Sequence, residues 1–120
     1  MIPLVDFAEP LPAGEDDRPA VQRCIGVPPL RTTFERYAAN DGELSVGEWR
    51  CGTGAWRIDF HDGRHEFFEV LEGRIRISAE DGAAREFGPG DACVIPAGFR
   101  GLFEVLEPTR KRYVMVDRNR

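Results

Sequence analysis

From Leu44 onward the sequence is divided into short runs of β-favouring residues, each closed by Gly, Asp or Pro. The runs follow one another at nearly regular spacing, and none keeps the 3.6-residue period of an amphipathic helix for long. They cover residues 44–51, 55–61, 66–71, 74–79, 85–87, 92–95, 102–106 and 112–116. This pattern predicts an all-β sandwich or barrel of about eight strands.

The first twenty residues contain four prolines and an acidic run, and we expect them to form an extended arm without a regular element. Residues 31–37 favour an edge strand, and a turn follows at Asn40-Asp41-Gly42. We therefore divide the chain into an arm with edge strands, residues 1–43, and a barrel, residues 44–120. Since an extended segment can add to the sheet edge of another subunit, we expect part of residues 21–37 to cross to a dimer partner.

Size and charge narrow the classes of function. A chain of 120 residues has room for one domain. Its net charge of −5 argues against nucleic acid or an anionic membrane as the main partner, since both require a basic surface. No apolar stretch approaches the ~20 residues of a membrane span, and the N-terminus lacks the pattern of a secretory signal. We therefore expect a cytoplasmic protein.

Residues 54–73 favour a β-hairpin around the Asp-Gly turn at 62–63. A two-residue turn pairs Asp59 with Glu66 and places His61 on the same face of the hairpin. A three-residue turn instead pairs Phe60 with Glu66 and directs His61 away. We favour the first register because it brings more polar groups together.

In that register Asp59, His61 and Glu66 are candidate ligands of a divalent metal, and Glu66 and His61 are the candidate catalytic residues. An acid in the middle of an apolar strand needs a partner if it faces inward, which makes Glu66 the strongest candidate. A set rich in carboxylate oxygens favours Mn²⁺, or Mg²⁺, over Zn²⁺ or Cu²⁺.

Two segments resemble the two motifs of the cupin superfamily. Glu66 followed by six residues and Gly73 resembles the end of the first motif. Gly90, five residues and Pro96-Ala97-Gly98 resemble the second. A narrower similarity is to the single-domain family related to (S)-ureidoglycine aminohydrolase. It is carried by Val46-Gly47-Glu48-Trp49, Glu72-Gly73-Arg74, Gly90-Asp91, Pro96-Ala97-Gly98-Phe99 and Arg110-Lys111-Arg112-Tyr113.

The resemblance implies a conical double-stranded β-helix, the cupin jelly-roll barrel, with a small-molecule pocket in its mouth and assembly as a homodimer. Metal-binding cupins use two His and one Glu from the first motif and a third His from the second. Here Asp59, His61 and Glu66 stand at the first three positions, and Gly101 stands where the last His is expected. Ureidoglycine aminohydrolase also carries two cupin domains, whereas this chain has one, so its reaction is not carried over.

Five further residues are candidates for binding a ligand in the barrel mouth: Trp49, Trp56, Arg57, Phe68 and Lys111. Aromatic rings suit such a mouth, although tryptophans are more often core residues. Inward-facing arginines could hold a carboxylate. Lys111, the only lysine, could form a Schiff base, but a salt bridge across the barrel or a subunit interface is the simpler interpretation.

Three functions are therefore open. The first is a divalent-metal-dependent hydrolase or lyase that acts on a small polar metabolite. The second is a non-catalytic, metal-free module that binds a small molecule in the same pocket. The third is metal-free acid–base chemistry in which Glu66 or His61 moves a proton.

Overall fold

The computed structural model of the protein describes residues 1–118, so the last two residues of the predicted barrel range lie outside it. The described chain forms nine antiparallel strands in one sheet. The strands are β1 (Glu15–Asp17), β2 (Cys24–Ile25), β3 (Arg31–Ala39), β4 (Leu44–Cys51), β5 (Gly54–Asp59), β6 (Arg64–Ala79), β7 (Ala84–Phe87), β8 (Ala92–Ile95) and β9 (Arg100–Asp117), with a 3₁₀ turn at Val21–Arg23 before β2.

Two long strands organise the sheet. β6 and β9 contain 16 and 18 residues and pair with each other along their lengths. Each of them joins two of the runs predicted as separate strands. The break at Glu72-Gly73 that separates the predicted runs 66–71 and 74–79 is wrong, because Gly73 lies at an irregularity inside β6. Its φ of +89° suits glycine, and a Cβ there would collide with the carbonyl oxygen of Pro108 in β9.

The bend in these strands curls the sheet into two facing layers. On the edge of β9 opposite to β6, residues 109–116 pair with β4 and residues 100–105 pair with β5. On the edge of β6 opposite to β9, residues 66–69 pair with β8 and residues 75–78 pair with β7. Side chains from the two layers meet between them, as Trp49 of β4 and Trp56 of β5 do at 6.3 Å between ring centroids. The predicted all-β jelly-roll architecture is confirmed.

The arm packs on the sheet of its own chain. β1 pairs with β3 and is held there by Asp17, which forms two hydrogen bonds with Arg31, so the prediction of no regular element in the first twenty residues is wrong. β3 lies between β1 and β4 and is not an edge strand. β2 pairs with the free edge of β5.

The core lies between the layers. Its fully buried side chains are Phe68, Val70 and Ile75, all on the inner face of β6. No helix in the described part of the chain is long and apolar enough to span a membrane.

Candidate functional site

A cavity of about 290 Å³ opens between the two layers and is lined by residues of β1, β3, β4, β5, β6, β8 and β9. Aromatic side chains form much of its wall. They are Trp49, Trp56, Phe60, Phe103 and Tyr113, contributed by β4, β5, the turn after β5, and β9. This volume is close to the lower end of the range of about 300–1,000 Å³ that is typical of small-molecule sites.

A buried ion pair lies in this cavity. Lys111 Nζ is 2.7 Å from Glu66 Oε2, and the two side chains are only 5% and 9% exposed. The ammonium also lies 4.3, 4.6 and 5.1 Å from the ring centroids of Trp49, Phe68 and Phe103. The ion pair and the ring faces together offset the cost of burying this charge. The predicted salt bridge of Lys111 is confirmed, and its partner Glu66 lies on the neighbouring strand β6.

The ammonium of Lys111 can donate further hydrogen bonds. An ammonium has three N–H donors, and the described structure gives Lys111 one hydrogen bond, to Glu66. The other donors face rings and the cavity. An oxygen of a bound ligand could therefore accept a charge-assisted hydrogen bond from Lys111 without displacing Glu66.

Two arginines add positive charge to the cavity wall. Arg31 is held by Asp17 through two hydrogen bonds of 2.9 and 2.6 Å, and its guanidinium lies 5.4 Å from the centroid of Trp56. Arg64 lies 4.9 Å from the ring of Phe60, and its nearest described carboxylate is 3.9 Å away. The Nε of Arg64 is buried and has no hydrogen-bond partner in the described structure, so Arg64 is less fully paired than Arg31.

Two hydroxyls stand on the same wall. Ser45 donates a hydrogen bond of 2.7 Å to the carboxylate of Glu35. The hydroxyls of Ser45 and Tyr113 are 3.0 Å apart, and since the one proton of Ser45 is used at Glu35, Tyr113 is the donor of this second hydrogen bond. Burial raises the pKa of Tyr113 above its usual range, which outweighs the opposite effect of the hydrogen bond with Ser45. Tyr113 is therefore neutral at pH 7, donates its proton to Ser45, and keeps its oxygen as an acceptor on the cavity wall.

The favoured hairpin register is wrong. β5 and β6 do not pair with each other, because β5 pairs with β9 and β2 instead. After β5 the chain pairs with the loop before β9: Phe60 N donates to Phe99 O, and Gly98 N donates to Phe60 O, both at 2.9 Å. Phe60 and Glu66 thus both line the cavity, while His61 is directed away, as in the alternative register.

The three predicted metal ligands have three different partners. Asp59 is half-exposed and lies 3.6 Å from Arg100. Nε2 of His61 is 2.8 Å from Oδ1 of Asp117, although the approach is too bent for a hydrogen bond. Glu66 is paired with Lys111. Among residues 1–118 no group of three or more His, Cys, Asp or Glu side chains is placed to hold a metal ion, so the residues present do not fit the predicted Mn²⁺.

The Gly101 position of the second motif has no space for a side chain. A Cβ there would collide with the carbonyl oxygen of Ser78. No histidine could therefore occupy this position without a shift of the backbone.

The five predicted ligand-binding residues have three different placements. Trp49, Trp56 and Lys111 line the cavity, whereas Phe68 is fully buried beside the ammonium and supports it. Arg57 lies outside the cavity, where its guanidinium donates to the carbonyl oxygen of Gln22 at 2.6 Å.

Sequence reasoning missed several cavity residues, chiefly Arg31, Arg64, Phe103 and Tyr113. A usable signal existed for Tyr113, which is two residues from Lys111 and therefore on the same face of its strand. None existed for Arg31, because its position depends on the pairing of distant strands.

Comparison with known proteins identifies the domain. Residues 38–113, more than half of the chain, match the family model described as the EutQ-like cupin domain. No curated protein matches the sequence.

Solved structures share the fold. A protein of unknown function from Pseudomonas syringae pv. tomato, of the DUF861 family, has a TM-score of 0.79 at 20% identity, over 93% of this chain and 46% of its own. For the EutQ protein of Clostridium difficile the TM-score is 0.63 at 18% identity, over 76% and 65% of the two chains. A DUF861 family protein from Thermotoga maritima has a TM-score of 0.52 at 31% identity, over 57% and 75%. The present chain thus spans about half the length of the Pseudomonas protein and 65% of the Clostridium protein.

Proposed function

The chain belongs to the EutQ-like cupin domain family, and from this premise we propose that it binds a small organic anion in the mouth of its barrel. The observation that carries the proposal is the ammonium of Lys111, which is buried in the cavity beside Glu66 and has donors left for a ligand. In this proposal the ligand is a small organic acid that places its carboxylate at Lys111.

The charges of the cavity support an anion rather than a cation. The wall carries the three cations Arg31, Arg64 and Lys111 and the two carboxylates Asp17 and Glu66. The carboxylate 3.9 Å from Arg64 belongs to Asp117, which lies outside the lining. On the wall itself the cations therefore exceed the carboxylates by one, in a chain whose net charge is −5. A ligand carboxylate would balance that excess, and its removal from water would be offset by charge-assisted hydrogen bonds.

The rest of the wall supports an apolar or aromatic body for the ligand. Besides the aromatic rings, the cavity is lined by Ile58, Ile95 and Met115. Pockets of this kind bind a ligand through apolar contact and orient it through a few polar groups. Lys111, Ser45 and Tyr113 supply those polar groups.

The proposed binding requires no metal. Glu66, the strongest candidate metal ligand, is already paired with an ammonium, and the other candidates, Asp59 and His61, lie elsewhere. The geometry therefore favours the metal-free binding module over the metal-dependent hydrolase. The ureidoglycine aminohydrolase-like activity, the cytoplasmic location and the homodimer remain predictions.

The binding can be tested with matched pairs of acids and amides. Trp49 and Trp56 both line the cavity, so intrinsic fluorescence should report occupancy. We propose titrations with benzoate, phenylacetate and hexanoate, and with the corresponding neutral amides. Each acid should bind at least about tenfold more tightly than its amide, which corresponds to about 1.4 kcal/mol, the range of one charge-assisted hydrogen bond.

Two double variants test whether the preference for acids depends on the charged pair in the cavity or on any charged pair of the protein. Lys111→Met with Glu66→Leu removes the buried pair without leaving one charge unpaired, and it should abolish the preference for acids. Arg74→Met with Glu86→Leu removes an exposed pair of similar contact distance, 2.6 Å, and should leave the preference unchanged. The proposal fails if no acid binds, if the amides bind equally well, or if both double variants keep the preference.

A further inference from the structure

Three side chains form a row of hydrogen bonds that leads from the cavity to the protein surface. The hydroxyl of Tyr113 lies on the cavity wall, 3.0 Å from the hydroxyl of Ser45. The hydroxyl of Ser45 lies 2.7 Å from a carboxylate oxygen of Glu35. Tyr113 is only 6% exposed, whereas Glu35 is an exposed residue of β3 outside the cavity lining. We call these three residues the hydroxyl chain.

The carboxylate at the outer end fixes the direction of both hydrogen bonds in the hydroxyl chain. A carboxylate can only accept, so the one proton of Ser45 is used at Glu35. Ser45 can then only accept from Tyr113, and the proton of Tyr113 is used at Ser45. The phenolic oxygen of Tyr113 therefore offers the cavity a lone pair and no proton.

The same two hydroxyls have a second arrangement, which the carboxylate prevents. If Ser45 donated to Tyr113, the proton of Tyr113 would be free to point into the cavity. The wall would then offer a donor instead of an acceptor. Because a buried acceptor that meets another acceptor stays unpaired, the direction of the hydroxyl chain decides which ligands bind well.

We propose that Glu35, from outside the cavity, selects organic acids that carry a hydroxyl or amino group to donate to Tyr113. The inference rests on the proposed function, in which the ligand places its carboxylate at Lys111. Lys111 and Tyr113 are two residues apart on one face of β9, so their Cα atoms are about 7 Å apart. A donor at the far end of an aromatic ring, as in 4-hydroxybenzoate, suits such a separation from the carboxylate.

The two polar ends of the wall make opposite demands on the ligand. The ammonium of Lys111 can only donate, and Tyr113, directed by the hydroxyl chain, can only accept. A ligand bound the other way round would bring its carboxylate to the oxygen of Tyr113 and its own donor to the ammonium, and both contacts would repel. The hydroxyl chain therefore fixes the orientation of the ligand as well as its class.

Strand pairing explains how a surface residue reaches this wall. Glu35 stands opposite Gly47 in the pairing of β3 with β4, and Ser45 is two residues from Gly47 on the same face of β4. Glu35 also lies outside residues 38–113, the segment that matches the family model. The selection is thus built from a residue that the matched segment does not include.

The selection can be tested with two acids that differ at one group. The hydroxyl of 4-hydroxybenzoate can donate or accept, whereas the ether oxygen of 4-methoxybenzoate can only accept. Both acids are titrated by calorimetry, and the ratio of their dissociation constants is compared between variants, so the extra methyl group is present in every comparison. The wild type should bind 4-hydroxybenzoate at least about tenfold more tightly.

Glu35→Gln keeps the size of the side chain but removes the constraint on direction, because its amide can donate as well as accept. Tyr113 can then turn its proton to the methoxy oxygen, and the ratio should fall to about threefold or less. A structural effect of the substitution would weaken both acids together and leave the ratio unchanged.

Asp16→Asn is the matched control. Asp16 is an exposed carboxylate that accepts from the hydroxyl of Thr32 at 2.6 Å, and neither of these residues lines the cavity. This variant should keep the wild-type ratio. Tyr113→Phe, which removes the inner end of the hydroxyl chain, should lower the ratio as Glu35→Gln does.

Neutron diffraction from deuterated crystals adds a readout that needs no ligand. The deuteron of Ser45 should point to Glu35, and that of Tyr113 should point to Ser45; the reverse arrangement would overturn the proposal. Equal ratios in the wild type and Glu35→Gln, or a wild type without preference for 4-hydroxybenzoate, would also overturn it. The proposed function survives these results if benzoate still binds more tightly than benzamide, and both proposals fail if no acid binds.

Discussion

The buried pair of Lys111 and Glu66 leads to a quantitative prediction about stability. In Lys111→Met the carboxylate of Glu66 stays buried but loses its ion-pair partner at 2.7 Å. Breaking such a pair from one side costs about 3–5 kcal/mol. Cation–π contacts with three rings are also lost, at about 0.5–2 kcal/mol each, but the methionine sulfur restores about 0.3–1.5 kcal/mol per ring contact.

We therefore expect Lys111→Met to lower the free energy of unfolding by about 3–5 kcal/mol. For a domain of this size about 4 °C of melting temperature corresponds to 1 kcal/mol, so the melting temperature should fall by about 12–20 °C. The double variant Lys111→Met with Glu66→Leu should lie within about 1 kcal/mol of the wild type, because neither charge is then left unpaired.

Urea unfolding of the wild type, both single variants and the double variant closes a double-mutant cycle. The reasoning predicts that the loss in the double variant is much smaller than the sum of the two single losses. It is refuted if Lys111→Met costs less than about 1 kcal/mol, or if the two single losses simply add.

Two further predictions concern the backbone and a buried thiol. Gly73→Ala should lower the melting temperature more than Gly82→Ala. Both glycines have φ near +90°, but only at Gly73 would the new methyl group collide with the carbonyl oxygen of Pro108. Equal losses of melting temperature in the two variants would contradict the bulge described here. Burial raises the pKa of Cys51 from 9.0 to about 12, against the opposing charges of Arg31 and Lys111. Between those two pH values the unfolded thiol loses a proton that the folded thiol keeps. The free energy of unfolding should therefore fall with rising pH by up to about 1.4 kcal/mol per pH unit. This contribution should be absent when Cys51→Ala is unfolded with urea at the same pH values. The same slope of unfolding free energy against pH in Cys51→Ala and the wild type would contradict the prediction.

Local sequence patterns predict several elements of the fold well. The ends of β4 and β8, Leu44–Cys51 and Ala92–Ile95, agree with the predicted runs because turn residues bound both strands. Gly73 shows the limit of such patterns. A glycine with positive φ suits both a turn and a bulge. Which of the two forms at Gly73 depends on the pairing with Pro108, a residue distant in the sequence.

Only those parts of the candidate site that lie within locally predicted strands could be predicted from the sequence. Trp49, Trp56 and Lys111 lie on inward-facing positions of strands that the pattern identifies, and all three line the cavity. The convergence of Asp59 with Glu66 required a local hairpin, and β9 pairs with both strands instead. Residues brought to the cavity by the arm and β3 could not be predicted, since no local pattern encodes that pairing.

The most direct test of the central claim observes the ammonium of Lys111 itself. Lys111 is the only lysine in the sequence, so ¹⁵N-lysine labelling gives a single side-chain ammonium resonance in an NMR spectrum. We predict a resonance displaced by the surrounding rings, which shifts further on titration with benzoate and requires at least about tenfold more benzamide for half of its full shift. A resonance with the position of a solvated lysine, or one that stays unchanged while benzoate binds, would contradict the account.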